Sequence, residues 1–423
     1  MAKKKGKKTQ NQVNFNQRGS YADAHVHFDE PNEFCKSLGF WTHVARENNI
    51  KFVATKHNSA HQDTIAKYGL DPLAVTHTYQ GATFNLGIEV TCRDDTNPTG
   101  AKLHLMVIAP KLTPESPIVK LMQIKSRNDT LVDHGLIYFV SRLYGLNPEK
   151  KDILSFATRY SNGRDKIVTF GREKTYDFFM ENNLNPCTSS RALFNLLEHS
   201  PSVRRVNLYM SDVIKIAHAS GALVVMAHPG ASLRRLSNAE IKSTVENFLI
   251  LGGDGFERIY SANNTKVDNI VHQVVTEMGA QNDVIFTVGS DAHVVQPNAT
   301  ISKPHGYRGN LKVEDMQKFF DELGQLEQAR AKGLLSHRTY AEMGGREIDD
   351  ILTRAEAKVI AEEAAYRAKF EEQKEYLFGT PEPEPELVVE QPVEEQPKEA
   401  QQFDGGSIIA DVVDPTIDDD MLL

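Results

Sequence analysis

The chain reads as an α/β protein built on a parallel sheet. Two observations lead there. Short apolar runs alternate with helical patterns, and residues able to bind a metal stand at or just past the ends of those runs, where the loops of such folds open onto one face. Chance would scatter them.

The first run is Tyr21 to His27 (YADAHVH). Side chains two apart in an extended segment point the same way, so His25 and His27 can grip one ion from a single strand. Phe40 to Asn48 then reads as a helix and Lys51 to Thr55 as a strand, with His57 close behind. Phe84 to Thr91 (FNLGIEVT) carries Glu89, and Lys102 to Pro110 (KLHLMVIAP) carries His104. Much later, Ala222 to Pro229 (ALVVMAHP) delivers His228, and Val284 to His293 (VIFTVGSDAH) delivers Asp291 and His293. Gly255 to Ser261 (GFERIYS) is a seventh strand between these two, and its Glu257 reads as structural. Leu208 to Ser220, closing on Gly221, and Val267 to Gly279, with a glycine cap, have helical spacing.

Residues from about Leu112 to Arg204 break this rhythm, with helical spacing over Ile118 to Ile124 and Arg191 to His199. They read as an inserted helical subdomain over the mouth of the site, a lid or substrate clamp, or else as a packing insertion. The chain thus divides into a basic disordered arm (1–19), a main domain (20–310, insertion about 112–204), a helical extension (311–379) with a charged helix from Arg354 to Tyr376, and an acidic disordered tail (380–423). Pro381 to Pro397 (PEPEPELVVEQPVEEQP) cannot bury enough apolar surface to offset the entropy of ordering.

With 423 residues, 40% of them hydrophobic, the chain can build a substantial core. From Pro381 onward thirteen acidic residues face a single lysine, so removing that −12 from the whole chain's −9 leaves about +3 on the remainder. Acidity therefore belongs to the tail. Cys35, Cys92 and Cys187 lack C-x-x-C spacing and are odd in number, which favours a reducing compartment. The lysine-rich start is followed by no apolar segment, and no window resembles a membrane span, so a soluble cytoplasmic protein is expected, with no membrane partner.

His25, His27, His57, Glu89, His104, His228, Asp291 and His293 offer only oxygen and imidazole nitrogen, which suits zinc, manganese or iron(II) better than a thiolate site would. Eight ligands exceed the need of one ion. Two or three divalent ions sharing a bridging carboxylate, most simply Glu89, is the economical arrangement.

DAHVH, TKH, GIEV, LHLMV, MAHPG and GSDAH, in that order from Tyr21 to Tyr307, resemble the polymerase and histidinol phosphatase (PHP) family of phosphoesterases. The insert before MAHPG looks most like the nucleoside 3′,5′-bisphosphate phosphatase and 5′→3′ exoribonuclease branch. The resemblance implies a distorted (β/α)7, TIM-like barrel with an inserted helical subdomain and disordered termini. It also implies a two- or three-metal centre hydrolysing phosphate esters. His25 and His27 match the first metal pair, Glu89 the bridge, His104 and His228 second-metal ligands, and His57, Asp291 and His293 the remaining ligands. Two departures bear on a third ion: Asn32, with Asp29, Glu30 and Glu33 nearby, stands where the family has an aspartate, and TKH replaces TDH at Lys56.

The expected function is hydrolysis of nucleotide or nucleic-acid phosphate esters by a metal-activated water, with His25, His27, Glu89, His228 and Asp291 central to catalysis. Lys56, Arg234 and Arg308 are candidates to meet substrate phosphate, with Arg235 and His305 further possibilities. Lys56 has solvent exposure as its alternative. His61, His77 and His134 match no ligand position and read as surface or structural histidines. The rival readings are a small-molecule phosphatase of the histidinol-phosphate type and a weakened fold retained as a binding module in nucleic-acid metabolism. The C-terminus, Gly405 to Leu423 (GGSIIADVVDPTIDDDMLL), resembles the acidic, apolar-tipped tails of bacterial single-stranded-DNA-binding proteins, implying a docking peptide for a protein partner.

Overall fold

The structure is a computed structural model, and it describes residues 21–28, 37–97, 102–129, 180, 206–259, 264–292, 316–338 and 345–378. Residues 1–371 form one compact unit and 372–423 another, of which only a helix end is described. The expected arm, tail and most of the insertion lie outside the described residues, as do Asn32, His134, His293, His305 and Arg308.

The seven apolar runs read from the sequence are the seven strands of one continuous path. In order of pairing these are β1 (Tyr21–His27), β2 (Ile50–His57), β4 (Ala82–Arg93), β5 (Lys102–Ile108), β7 (Leu223–Met226), β8 (Gly255–Ile259) and β9 (Ile285–Val288). Two short strands, β3 (His77–Tyr79) and β6 (Leu208–Tyr209), pair with β4 off that path. The ends of the path meet. Just past β9, Ala292 bridges to Val26, His27 N donates to Ala292 O at 2.9 Å, and Asp291 N donates to His25 O at 2.9 Å. The sheet is therefore curled, with β1 joined to the segment that carries Asp291.

One strand of the path departs from the expected parallel order: β5 runs antiparallel to both β4 and β7. A parallel return needs a crossover of about a dozen residues or more. Only residues 94–101 separate β4 from β5, so the chain turns straight back. The consequence is functional, because His104, near the start of β5, lies opposite Thr91 near the end of β4. It reaches the same mouth as the ends of the parallel strands.

Helices α1 (Leu38–Asn48) and α2 (Gln62–Tyr68) follow β1 and β2, and α3 (Met210–Ala219) precedes β7. The short α4 (Pro229–Leu233) follows at once on His228, and α5 (Asn238–Ile250) and α6 (Thr265–Glu277) flank β8. Sequence sets their ends. Ser37 caps α1 by accepting from Phe40 N, Ser237 and Glu240 form a reciprocal capping box on α5, and Asn264 accepts from two amides at the start of α6. Asn49 at φ 50° and Gly69 at φ 63° end α1 and α2 in the left-handed conformation.

Alternate strand residues feed two apolar clusters. Phe52, Leu86, Val90, Leu105, Val224 and Phe256 pack in the larger, with Trp41, Ile214, Phe248 and Val274 from the helices. Ala22, Ala24, Val53, Met106, Ile108, Val225 and Ile285 pack in the smaller against Phe319, Leu323 and Leu326 of α7 (Gln317–Ala331). The expected charged helix starts earlier than read, as α8 (Gly345–Phe378). The described start of the insertion is helical over 117–129. Its Ile118, Leu121 and Met122 join the larger core. No helix among the described residues is long and apolar enough to cross a membrane.

Two histidines read as surface or structural are interior. His61 stacks on Phe28 and its Nε2 lies 2.6 Å from Gly87 O, while His77 stacks on Phe84. Burial, helped by the charge of Lys56, pushes His61 down to about 3, and burial, with Arg330 nearby, pushes His77 down to about 4. The unfolded chain takes up these protons near pH 6.5, whereas the folded chain resists until far lower. Their contribution to stability is therefore full above pH 6.5 and is lost as pH falls toward 4. Replacing His77 by Phe should reduce the drop in unfolding free energy between pH 7 and pH 4 by up to ~3 kcal/mol, at about 1.4 kcal/mol per unit. Urea unfolding at both pH values measures it; an unchanged drop would contradict this account.

Candidate metal centre

The site begins with an irregularity in β1. Pairing with β2 shifts register between Asp23 and Val26, so Ala22 and Ala24 face the smaller core before the shift while Val26 faces the larger one after it. Such bulges re-aim side chains. His25 and His27 emerge together, their Nε2 atoms 3.0 Å apart. Trp41 of α1 fixes the strand end by donating its indole N–H to His27 O at 2.9 Å. Asp23 fixes the other side by accepting from His25 N and Ser290 N.

Glu89, on β4, stands between two groups of donors. Its Oε2 lies 3.2 Å from His27 Nε2 and 3.6 Å from His25 Nε2, and Asp291 Oδ1 lies 3.3 Å and 3.8 Å from those same nitrogens. Its Oε1 lies 2.5 Å from His104 Nδ1 and 2.9 Å from His228 Nε2. His25, His27, Glu89 and Asp291 place one ligand atom each within 4.8 Å of one another, and so do His57, Glu89 and His104. Four atoms each about 2.1 Å from a common centre in a tetrahedron would stand about 3.4 Å apart. The spacings of the first group bracket that value, so its donors fit a divalent ion.

The two backbone turns that deliver His228 and Asp291 adopt positive φ, 27° and 51°. Neither residue is glycine, and such conformations persist only where the surroundings enforce them. His228 N is held by Glu257 Oε2 at 2.7 Å, and Asp291 N by His25 O. His57 is oriented by Thr91, whose hydroxyl lies 2.9 Å from His57 Nε2.

Opposite charges hold these groups together. Burial alone would lower His25, but the carboxylates of Glu257 and Glu89 hold it well above the usual imidazole range; His228 is raised against burial by Glu89. Burial would raise Glu89, but His104 and His25 hold it well below the usual carboxylate range. Asp291 is likewise lowered, against burial, by its hydrogen bond with His27 and the charge of His25. An ion entering the site must displace the imidazole protons. Affinity for Mn2+ should therefore weaken as pH falls from 8 to 6, by about tenfold per unit for each proton released. Equilibrium dialysis across that range tests this, and an affinity independent of pH would contradict it.

Of the sequence-predicted ligands, His25, His27, His57, Glu89, His104, His228 and Asp291 are drawn together, and His293 lies outside the described residues. The phosphate candidates fare differently. Lys56 is corrected: its ammonium is buried, 2.8 Å from Asp63 Oδ2 and over the Phe28 ring, so it neither reaches solvent nor offers a free charge to a phosphate. Its position in β2 alternates with His57, which turns Lys56 away from the mouth. Arg234 and Arg235 are exposed at the end of α4. Glu257, read as structural, touches the backbone of His228 and the ring of His25. An acid beside Phe256 in a strand of this set was the signal.

No family model matches the chain, and no curated protein matches it. Among solved structures it is similar to a proposed metal-dependent phosphoesterase from Bifidobacterium adolescentis, at 19% identity over 71% of this chain and 95% of the other, with a TM-score of 0.49. It is also similar to an amidohydrolase from Chromobacterium violaceum, solved with bound sulfate and no metal, at 15% identity over 71% and 96% of the two chains, with a TM-score of 0.48. Both scores fall short of establishing a common fold. The functional reading rests on the site's own geometry and on the sequence motifs.

Proposed function

We propose that the chain is a metal-dependent phosphoesterase of the polymerase and histidinol phosphatase type, acting on phosphate esters of nucleotides or nucleic acid from a distorted (β/α)7, TIM-like barrel. The observation that carries this is Glu89, whose two oxygens face two separate groups of nitrogen and oxygen donors. His25, His27 and Asp291 would hold one ion with Glu89, and His57, His104 and His228 a second. Divalent ions there, manganese, zinc or iron(II), would lower the pKa of a water and neutralise charge developing on a phosphoryl oxygen.

The residues themselves define an open, one-sided site. His25 and His27 are fully buried, whereas the side chains of His104 and Asp291 are 26% and 32% exposed. Structural metal sites are closed by protein on all sides; a site with one accessible flank leaves room for water and substrate. Asp291 and His104 line that flank, where the Asp291 carboxylate could accept a proton from water, while buried His25 and His27 anchor the floor. Exposed Arg234, beyond His228 and α4, is a proposed contact for a second phosphate of the substrate.

The nucleotide class is supported by the motif order and by the slight positive balance of the chain before its acidic tail. Phosphate release should be assayed with Mn2+ and with chelator, on nucleoside 3′,5′-bisphosphates, 5′-phosphorylated oligonucleotides and histidinol phosphate. Chelator-sensitive release from the nucleotide substrates is expected. Release from histidinol phosphate alone would replace the substrate class, and no metal-dependent release from any ester would overturn the proposal.

A further inference from the structure

Glu257 lies on β8, only 1% exposed, and takes part in none of the two donor groups around Glu89. Its Oε2 accepts from His228 N at 2.7 Å and faces His25 Nδ1 at 3.4 Å, the ring nitrogen opposite the one turned toward His27 and Glu89. Its Oε1 is buried with no hydrogen-bond partner among the described residues. That oxygen fills the space beside Gly289: a Cβ built there would stand 1.7 Å from it and 2.6 Å from the His25 Cβ. The glycine of GSDAH thus makes room for the glutamate of GFERIYS.

A buried acid with one oxygen unpartnered is a costly way to build a strand, since a buried polar atom without a partner has lost its hydrogen bond to water. What the carboxylate does here is specific. Facing Nδ1, it turns His25 Nε2 toward Glu89 and Asp291, where an ion would sit, and by accepting from His228 N it holds the positive-φ turn that aims the His228 ring at the other Glu89 oxygen. One side chain therefore reaches a ligand from each side of the bridging carboxylate.

We infer that Glu257 is a positioning residue of the metal centre, setting the ring orientation of His25 and the backbone of His228 so that both halves of the site are formed before an ion arrives. This rests on the metal-centre reading proposed above. Carboxylates that orient ligating histidines typically contribute 10–100-fold to metal affinity. Glu257→Gln keeps the shape, and its one amide oxygen can take the place of Oε2, but it removes the carboxylate charge facing His25 Nδ1. Glu257→Asp keeps the charge on a shorter arm that withdraws from both contacts.

Mn2+ affinity of the full chain is measured by equilibrium dialysis for wild type, Glu257→Gln and Glu257→Asp, with thermal unfolding and turnover in parallel. Both variants should bind Mn2+ about 10–100-fold more weakly while unfolding cooperatively, and the turnover they lose at limiting Mn2+ should return when Mn2+ is raised, because every ligand is still present. Should the glutamine variant fail to fold, the aspartate variant carries the same measurement. Wild-type affinity in a folded variant would overturn the inference and leave the metal centre standing. So would turnover lost in step with thermal stability and not restored by excess Mn2+, which is the mark of a packing role. A wild-type chain that binds no Mn2+ would overturn the metal centre itself, and the role of Glu257 with it.

Discussion

Replacing Glu89 by glutamine is expected to lower metal-dependent turnover by ~10³-fold or more, equivalent to about 4 kcal/mol of transition-state stabilisation, with little loss of fold. The reason is its place between the two donor groups: no other described residue faces both. Glutamine retains the shape but carries one oxygen and no charge, so it can serve at most one side. The fold should tolerate the change because glutamine keeps the shape of a side chain whose burial opposes its charge. Turnover and thermal unfolding measured side by side check both halves of the prediction. A glutamine variant with near-normal turnover in excess Mn2+ would remove Glu89 from the centre.

The second large effect is on stability. Trp41 is the chain's one tryptophan, fully buried on α1, and it donates to the carbonyl of His27. Trp41→Ala should destabilise the protein by about 3–5 kcal/mol through lost burial and the cavity left behind. Trp41→Phe separates the two contributions: it keeps most of the volume but leaves the His27 carbonyl without its indole partner, and should cost about 1–3 kcal/mol. Denaturant unfolding followed by circular dichroism measures both. Equal losses in the two variants would show that the hydrogen bond, not the packing, dominates; a neutral alanine variant would contradict the structure at this point.

The strand framework was legible because each strand is an apolar run bounded by polar or glycine-containing sequence, and all seven path strands coincide with runs read from the sequence. The gathering of seven candidate ligands followed from strand ends sharing one face. What escaped depends on contacts between distant residues. The antiparallel β5 was hidden because periodicity reports a strand but not its direction; only the brevity of 94–101 hinted at it. Lys56 looked free because its partner Asp63 lies seven residues on, around a turn in which Asn58 and His61 take left-handed conformations. Glu257 looked structural because its partners, His25 and His228, are 232 and 29 residues away. Apolar residues at helical spacing, such as Ile118, Leu121 and Met122, do not tell a core-filling helix from a cover, and these three fill the core.

The most direct test of the metal centre is anomalous scattering from crystals of the full chain soaked in Mn2+. Two peaks on either side of the Glu89 carboxylate are predicted, one among His25, His27 and Asp291 and the other among His57, His104 and His228. No peak within coordination distance of Glu89, in crystals that take up Mn2+ elsewhere, would contradict it.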